Sequence, residues 1–281
     1  MYTLLKIMYS SFIMNYLSYN DFGWSPTFLY HTNSDVRFME PITIYYSKPH
    51  LTEYNIELPV SFDAREKWGD LISGISNQGE CGSCWAFATS SVLSDRYNIQ
   101  TGSSVKLSVQ DLVSCDIFDT SCNGGEGNTS FYFIENYGIT DNQCKRYKGV
   151  NGTCSDFCDD GSKVSKDYKV SDIYNVVDLY DDIETRVKKM KTELITNGPI
   201  YVGFDVYEDF KLYKSGVYKH VIGEKIGSHA VRLIGYDDLT GSWTIANSWG
   251  VTWGEEGYFR IRMGSNECNL ENEAWGGLFI Y

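Results

Sequence analysis

The sequence predicts an α+β fold in two lobes, one helical and one β-rich, packed side by side with a cleft between them. Helix signals concentrate before Gly198 and strand signals follow it. The 281 residues, 42% hydrophobic and 15% aromatic, suffice for a sizeable core. In chain order, residues 1–57 are rich in Tyr, Ser and Asn, hold no Cys and lack a long clean period of either kind. A helix is predicted from Cys84 to Gln100, with Ser83 placed to cap it and Gly102 just past its end. Ser108-Val109-Gln110-Asp111 is a capping-box pattern that opens a second, short helix. A third runs from Asn128 to Tyr137 and stops at Gly138. A longer amphipathic one runs from Asp182 to Thr196 and is closed by Asn197-Gly198-Pro199. Ile200 to Val206, His229 to Tyr236, Ser242 to Asn247 and Gly257 to Arg262 have strand composition with turn-like spacers.

The net charge of −13 and pI of about 4.7 argue against nucleic acid as a partner, because binding it needs a basic patch. The basic cluster Lys188-Lys189-Met190-Lys191 reads as the solvated face of a helix. Eight Cys suggest an oxidising route through the secretory system, and the sequons at Asn128 and Asn151 agree with it. Lys6 and the apolar stretch from Ile7 to Met14 begin like a signal peptide. Tyr9, Ser10 and Ser11 interrupt that run, however, and no small-x-small cleavage site follows. No later stretch reaches the length of a membrane span, so no membrane partner is expected.

Gln78-Gly79-Glu80-Cys81-Gly82-Ser83-Cys84-Trp85-Ala86-Phe87 is the stretch richest in chemistry. Cys84 stands at a predicted helix N-terminus, where unpaired N–H groups and aligned peptide dipoles favour an anion. A thiolate is such an anion, so the expectation is a lowered thiol pKa and a nucleophile near neutral pH. The Gln78 side-chain amide, six residues earlier, could donate to the oxyanion of a tetrahedral intermediate.

These residues, with Gly227-Ser228-His229-Ala230-Val231, Ala246-Asn247-Ser248-Trp249-Gly250 and Cys122-Asn123-Gly124-Gly125 in the same order, resemble the papain family of cysteine peptidases. The resemblance implies the two-lobed papain-like fold and no metal or cofactor. Cys84 would be nucleophile, His229 general acid and base, and Asn247 the residue orienting His229. Gln78 and the Cys84 N–H would form the oxyanion hole, and Trp249 would shield the His–Asn contact from water. Gly124, Gly125 and Ala230 would line the substrate strand. His31, His50 and His220 are read as structural.

Leu58-Pro59-Val60-Ser61-Phe62-Asp63-Ala64-Arg65-Glu66 resembles the mature N-terminus of cathepsin B. Residues 1–57 then resemble a leader and short pro-segment, centred on Phe22-Gly23-Trp24, and residues 58–281 the peptidase domain. By the same resemblance Cys81 pairs with Cys122, Cys115 with Cys154, and Cys144 with Cys158, which leaves Cys84 free and Cys268 buried and unpaired. Sequence alone leaves fifteen pairings of six Cys open. Glu273 matches a pocket-floor Glu that takes Arg as well as apolar side chains. Expected partners are protein and peptide substrates, the chain's own pro-segment and cystatin-type inhibitors, with the enzyme a monomer in a lysosome or vacuole, or secreted.

Two departures from the branch stand out. Residues 145–153 are too few for the loop that caps the cleft of cathepsin B, and they hold no His pair. The expectation is therefore an open cleft and an endopeptidase; the alternatives are a dipeptidyl-carboxypeptidase and a binding-only relative. Ser228, where relatives usually have Gly, is the smaller departure. Two other classes compete on the cysteines alone: a thiol–disulfide oxidoreductase using Cys81-Gly82-Ser83-Cys84, and a zinc module using Cys81, Cys84, Cys154 and Cys158.

Overall fold

In the computed structural model of the chain, residues 56–279 are described, together with Ile13, Leu17 and residues 23–26. The signal-peptide reading and most of the pro-segment reading of residues 1–57 lie outside these residues, as do His31 and His50.

Helix α1 spans Ala64–Trp68 and α2 spans Cys84–Thr101. No Gly or Pro interrupts α2, and Gly102 ends it in the left-handed region at φ 70°, its N–H bonded to Asn98 O. Most of α2 is buried, so it is a central helix with no dominant polar face. Around it pack α3, Val109–Cys115, and α4, Gly127–Tyr137. Leu93, Leu112, Phe131 and Ile134 belong to the apolar cluster these helices share.

Half of the predicted capping box on α3 forms. Ser108 Oγ accepts the Asp111 N–H at 2.9 Å, but the Asp111 carboxylate does not reach back. It accepts instead from the buried Lys145 at 2.8 Å and lies 3.2 Å from Lys166, while the Ser108 N–H bonds Thr140 O. A cation taken out of water needs a carboxylate more than a backbone N–H that already has a carbonyl partner does.

The remaining strands are β1 (Trp24–Pro26), β2 (Ser61–Asp63), β3 (Asp172–Asn175), β4 (Ile200–Tyr207), β5 (Tyr213–Tyr218), β6 (Lys225–Asp237), β7 (Ser242–Ala246), β8 (Tyr258–Arg262) and β9 (Ala274–Leu278). They lie in the order β1-β5-β8-β7-β6-β4-β9-β3, with β2 paired to β6. Helix α5 (Ile183–Asn197) starts at Asp182, whose side chain accepts the Thr185 N–H, and Gly198 follows its end. Its Met190 and Leu194 pack with Ile200, Phe204 and Leu233. The last helix thus belongs to the β-rich lobe.

Strands β1, β2, β3, β5 and β9 were not predicted. Strand β9 reads Ala-Trp-Gly-Gly-Leu, and paired glycines weaken a strand signal. Both are required by close packing: a Cβ on Gly276 would stand 2.7 Å from Arg96 Nη1, and one on Gly277 2.7 Å from Val170 Cγ1.

Two fully buried ion pairs join the lobes. Asp95 of α2 meets Arg232 of β6 at 2.6 Å, and Arg96 of α2 meets Glu193 of α5 at 2.9 Å. Strand β1 pairs antiparallel with β5. There Trp24 lies against Tyr213 and Tyr218, and its Nε1–H donates to Lys219 O at 3.1 Å.

Two local readings change. Lys191 is not solvated: it is buried, pairs with Asp238, and its Nζ lies 4.6 Å from the Tyr236 ring centre. Of the two sequons, Asn151 is exposed, whereas Asn128 is buried in the first turn of α4.

Candidate active site

The cleft wall on the helical side is built from the N-terminus of α2. Disulfides join Cys81 to Cys122, Cys115 to Cys154 and Cys144 to Cys158, and Cys84 and Cys268 are free. Cys81 is therefore no partner for a redox exchange with Cys84, and Cys81, Cys154 and Cys158 have no thiolate to offer a zinc ion. Cys84 is the first residue of α2 and fully buried.

Ser83 does not cap the helix. Its hydroxyl lies 2.7 Å from the Tyr147 hydroxyl, which in turn donates to Gln78 O at 2.7 Å. The N–H groups at the helix start are left for sulfur instead. Those of Cys84 and Trp85, joined by that of Ala230 from across the cleft, favour the thiolate. Burial outweighs them and pushes the thiol up to about 11. The expected lowering is absent because an anion loses more solvation in this buried position than three backbone dipoles return.

Facing this wall, β6 carries His229 and Ala230, both buried. Asn247 follows the last residue of β7 and is anchored by its N–H on Gly257 O. Its Oδ1 accepts the Ser248 N–H at 2.8 Å, which identifies that atom as the oxygen. The same Oδ1 lies 2.8 Å from His229 Nε2, so Nε2 carries the hydrogen and Nδ1 the lone pair. Nδ1 is buried and has no hydrogen-bond partner. Burial pushes His229 down to about 4, opposed by the Asn247 contact.

Trp249 stacks on the His229 ring at 4.8 Å between centres and is backed by Trp253 and Phe210. Gln78 is fully buried and spans the lobes. Its N–H bonds Ser248 O, its Oε1 accepts from Ser248 Oγ at 2.7 Å, and its Nε2 donates to Cys81 O at 3.0 Å. Tyr147 and Ser248 thus fix Gln78 from opposite lobes. Sequence reasoning passed over both, for neither stands in a motif that names its partner.

Gly124, at φ 123°, and Gly125 are buried behind the Cys81–Cys122 bridge. Gly125 has an inward reason to be glycine: a Cβ there would stand 2.6 Å from Trp85 Cδ2 and 2.7 Å from Asp119 Cγ. Glu273 lies beside β4, its Oε1 accepting from Trp275 Nε1 at 3.0 Å and its Oε2 2.5 Å from where a Gly203 Cβ would be. Burial pushes it up to about 7, and Glu126 adds to the rise. Ser228 donates to Asp205 Oδ1 at 3.4 Å, and His220 stacks on Tyr207 at 3.8 Å beside Asp209.

Residues 58–278 match the family described as papain family cysteine protease. The chain is 40% identical to "Cathepsin B-like CP2" of Giardia intestinalis over 233 residues, covering 79% of this chain and 75% of the relative. It is 37% identical to "Cathepsin B-like cysteine proteinase 5" of Caenorhabditis elegans over 264 residues, covering 81% and 76%. Its fold is similar to that of procathepsin B S9 from Trypanosoma congolense, with a TM-score of 0.86 and 31% identity over 95% of this chain and 97% of that one.

Proposed function

Because the chain belongs to the papain family of cysteine proteases, we propose that it is a cysteine endopeptidase, made as a zymogen, that hydrolyses peptide bonds through an acyl-thioester on Cys84. The observation that carries the reading is the pair of groups left open to each other's side of the cleft. One is the free Cys84 thiol, and the other is His229 Nδ1, buried with no hydrogen-bond partner.

The reaction follows from that pair. As substrate enters, the thiol proton passes to His229 Nδ1 and sulfur attacks the scissile carbonyl carbon. The imidazolium is stabilised by Nε2–H on Asn247 Oδ1 and by the Trp249 face. Gln78 Nε2 holds one hydrogen on Cys81 O, and its second, with the Cys84 N–H, receives the oxyanion. Collapse expels the amine with the proton from Nδ1 and leaves the thioester. Water then gives a proton to Nδ1 and its hydroxide to the acyl carbon, and sulfur leaves as the acid is released.

Gly124, Gly125 and Ala230 line the substrate strand, and Glu273 sits at the pocket for the second residue before the cut. The endopeptidase reading rests on residues 145–153, which are short, hold no His, and turn Tyr147 inward against Phe87 at 4.6 Å between ring centres. The zymogen reading is supported by Trp24 on Tyr213 and Tyr218 and by the β1–β5 pairing. Residues 1–57 would be the leader and pro-segment and residues 58–281 the peptidase. Three disulfides suit an oxidising secretory route to a lysosome or vacuole, or to the outside. Cystatin-type inhibitors would occupy the same cleft of a monomeric enzyme.

A peptide blocked at both ends, incubated with activated protein and with Cys84→Ala and analysed by mass, tests this. Internal cleavage by the wild type alone is expected. Release of dipeptides from a free C-terminus, with the blocked peptide intact, would make the chain a dipeptidyl-carboxypeptidase.

A further inference from the structure

Behind the glycine strand lie two carboxyl groups to which the catalytic scheme assigns no role. Asp116 follows α3, its N–H on Leu112 O and its Oδ1 accepting the Phe118 N–H at 2.9 Å. Asp119 Oδ1 accepts the Glu126 N–H at 2.9 Å and the Thr129 hydroxyl at 2.8 Å. Both Oδ2 atoms are out of water and take no N–H or hydroxyl donor. The two carboxyl groups are near enough for each to act on the other's ionisation. Two buried carboxylates this near repel unless a proton lies between them.

Asp119 stands directly behind the substrate face of the loop. Its Cγ would be 2.7 Å from a Gly125 Cβ, and the Glu126 N–H it accepts is the next peptide along. The loop's other anchors do not titrate near neutrality: Thr120 on Gly124 O, Trp85 Nε1 on Ser121 O, and the Cys81–Cys122 bridge.

We propose that Asp116 and Asp119 share one proton, and that this proton holds the Gly124–Gly125 backbone where a substrate strand pairs with it, so that losing it weakens substrate binding. This rests on the peptide-binding role proposed above for the two glycines. The surroundings agree. The cation that reaches Asp116 is Lys166, whose Nζ is 3.2 Å from Asp111. From β4, Tyr201 faces Asp119 and Glu126 with a hydroxyl that has no partner. Burial pushes both carboxyls up, and the charge on Asp116 pushes Asp119 further. An acid raised by the fold contributes stability while protonated and loses it as pH rises through its folded pKa.

Asp119→Asn keeps the acceptor for Glu126 and Thr129 and gives Asp116 an N–H that does not titrate. Between about pH 6 and about pH 8.5 the wild-type KM for the blocked peptide should rise roughly tenfold more than that of Asp119→Asn, since the Glu273 titration is common to both, with kcat changing alike in the two. An equal rise of KM in both would overturn the proposal. In a Cys84→Ala background the thermal midpoint is read over the same range, and should fall more steeply with the aspartate pair than with Asp119→Asn. Equal slopes there also overturn it. If no peptide is cleaved, the endopeptidase reading fails while the thermal comparison still decides the shared proton.

Discussion

At the residue scale, one oxygen sets the proton inventory of the cleft. Asn247 Oδ1, identified by the Ser248 N–H, puts the hydrogen of His229 on Nε2 and leaves Nδ1 as acceptor. Gln78 is held so tightly that its loss should act on the transition state alone. Gln78→Ala is expected to lower kcat about 10²-fold with KM little changed, as steady-state kinetics will show. Glu273, pushed up to about 7, is neutral below that pH and charged above it. The ratio of kcat/KM for Arg over Leu at the second residue before the cut should therefore rise as pH passes 7. The rise should be roughly tenfold, since a hydrogen bond to a charged group contributes about 1.5–3 kcal/mol. Glu273→Gln should flatten the ratio. Short motifs made Cys84, His229, Asn247 and Gln78 legible as chemistry. Tyr147 and Ser248 were not, because their roles arise from contacts 69 and 170 residues away. Nor was the direction of the thiol shift, which depends on burial.

At the element scale, cap residues separate by what else their hydroxyls can reach. Ser108 caps α3 and also donates to Lys145 O, and Ser108→Ala should cost about 1–2 kcal/mol in urea unfolding. Ser83 has the same side chain at a helix start, but Tyr147 takes its hydroxyl, and the open N–H groups serve Cys84. Helices α2 to α5 and four of the strands were legible within a residue or so because period, caps and Gly stops act locally, although β6 extends beyond its predicted segment, starting at Lys225; α1 was not predicted. Strand β9 was not, since its glycines answer to Arg96 and Val170 rather than to their own neighbours.

At the scale of the molecule, the cleft exists because two lobes are held at one distance. Asp95–Arg232 and Arg96–Glu193 tie α2 to β6 and α5 in the buried seam. Arg232→Met would leave Asp95 Oδ2 and the Ser73 carbonyl without their donor, with only the Ser73 N–H remaining on Asp95 Oδ1, and a loss of about 3–5 kcal/mol in denaturant unfolding is expected. A smaller loss, with the lobes still closed, would mean that apolar packing alone sets the seam. The lobes also exchange chain: β2, near the start of the peptidase, pairs with β6, while Trp275 and Phe279, near the end, pack into the helical cluster.

By itself the sequence determined the α+β class and four of the helices with their stops, and it singled out the residues proposed to carry acyl transfer. These follow from side-chain type and from backbone preferences that act within a few residues. Only the tertiary structure decided which nitrogen of His229 is open, that the thiol is raised rather than lowered, that Ser83 is no cap, and that Asp119 lies behind Gly125. Each of these depends on which distant groups exclude water or supply a donor, and no local pattern encodes that.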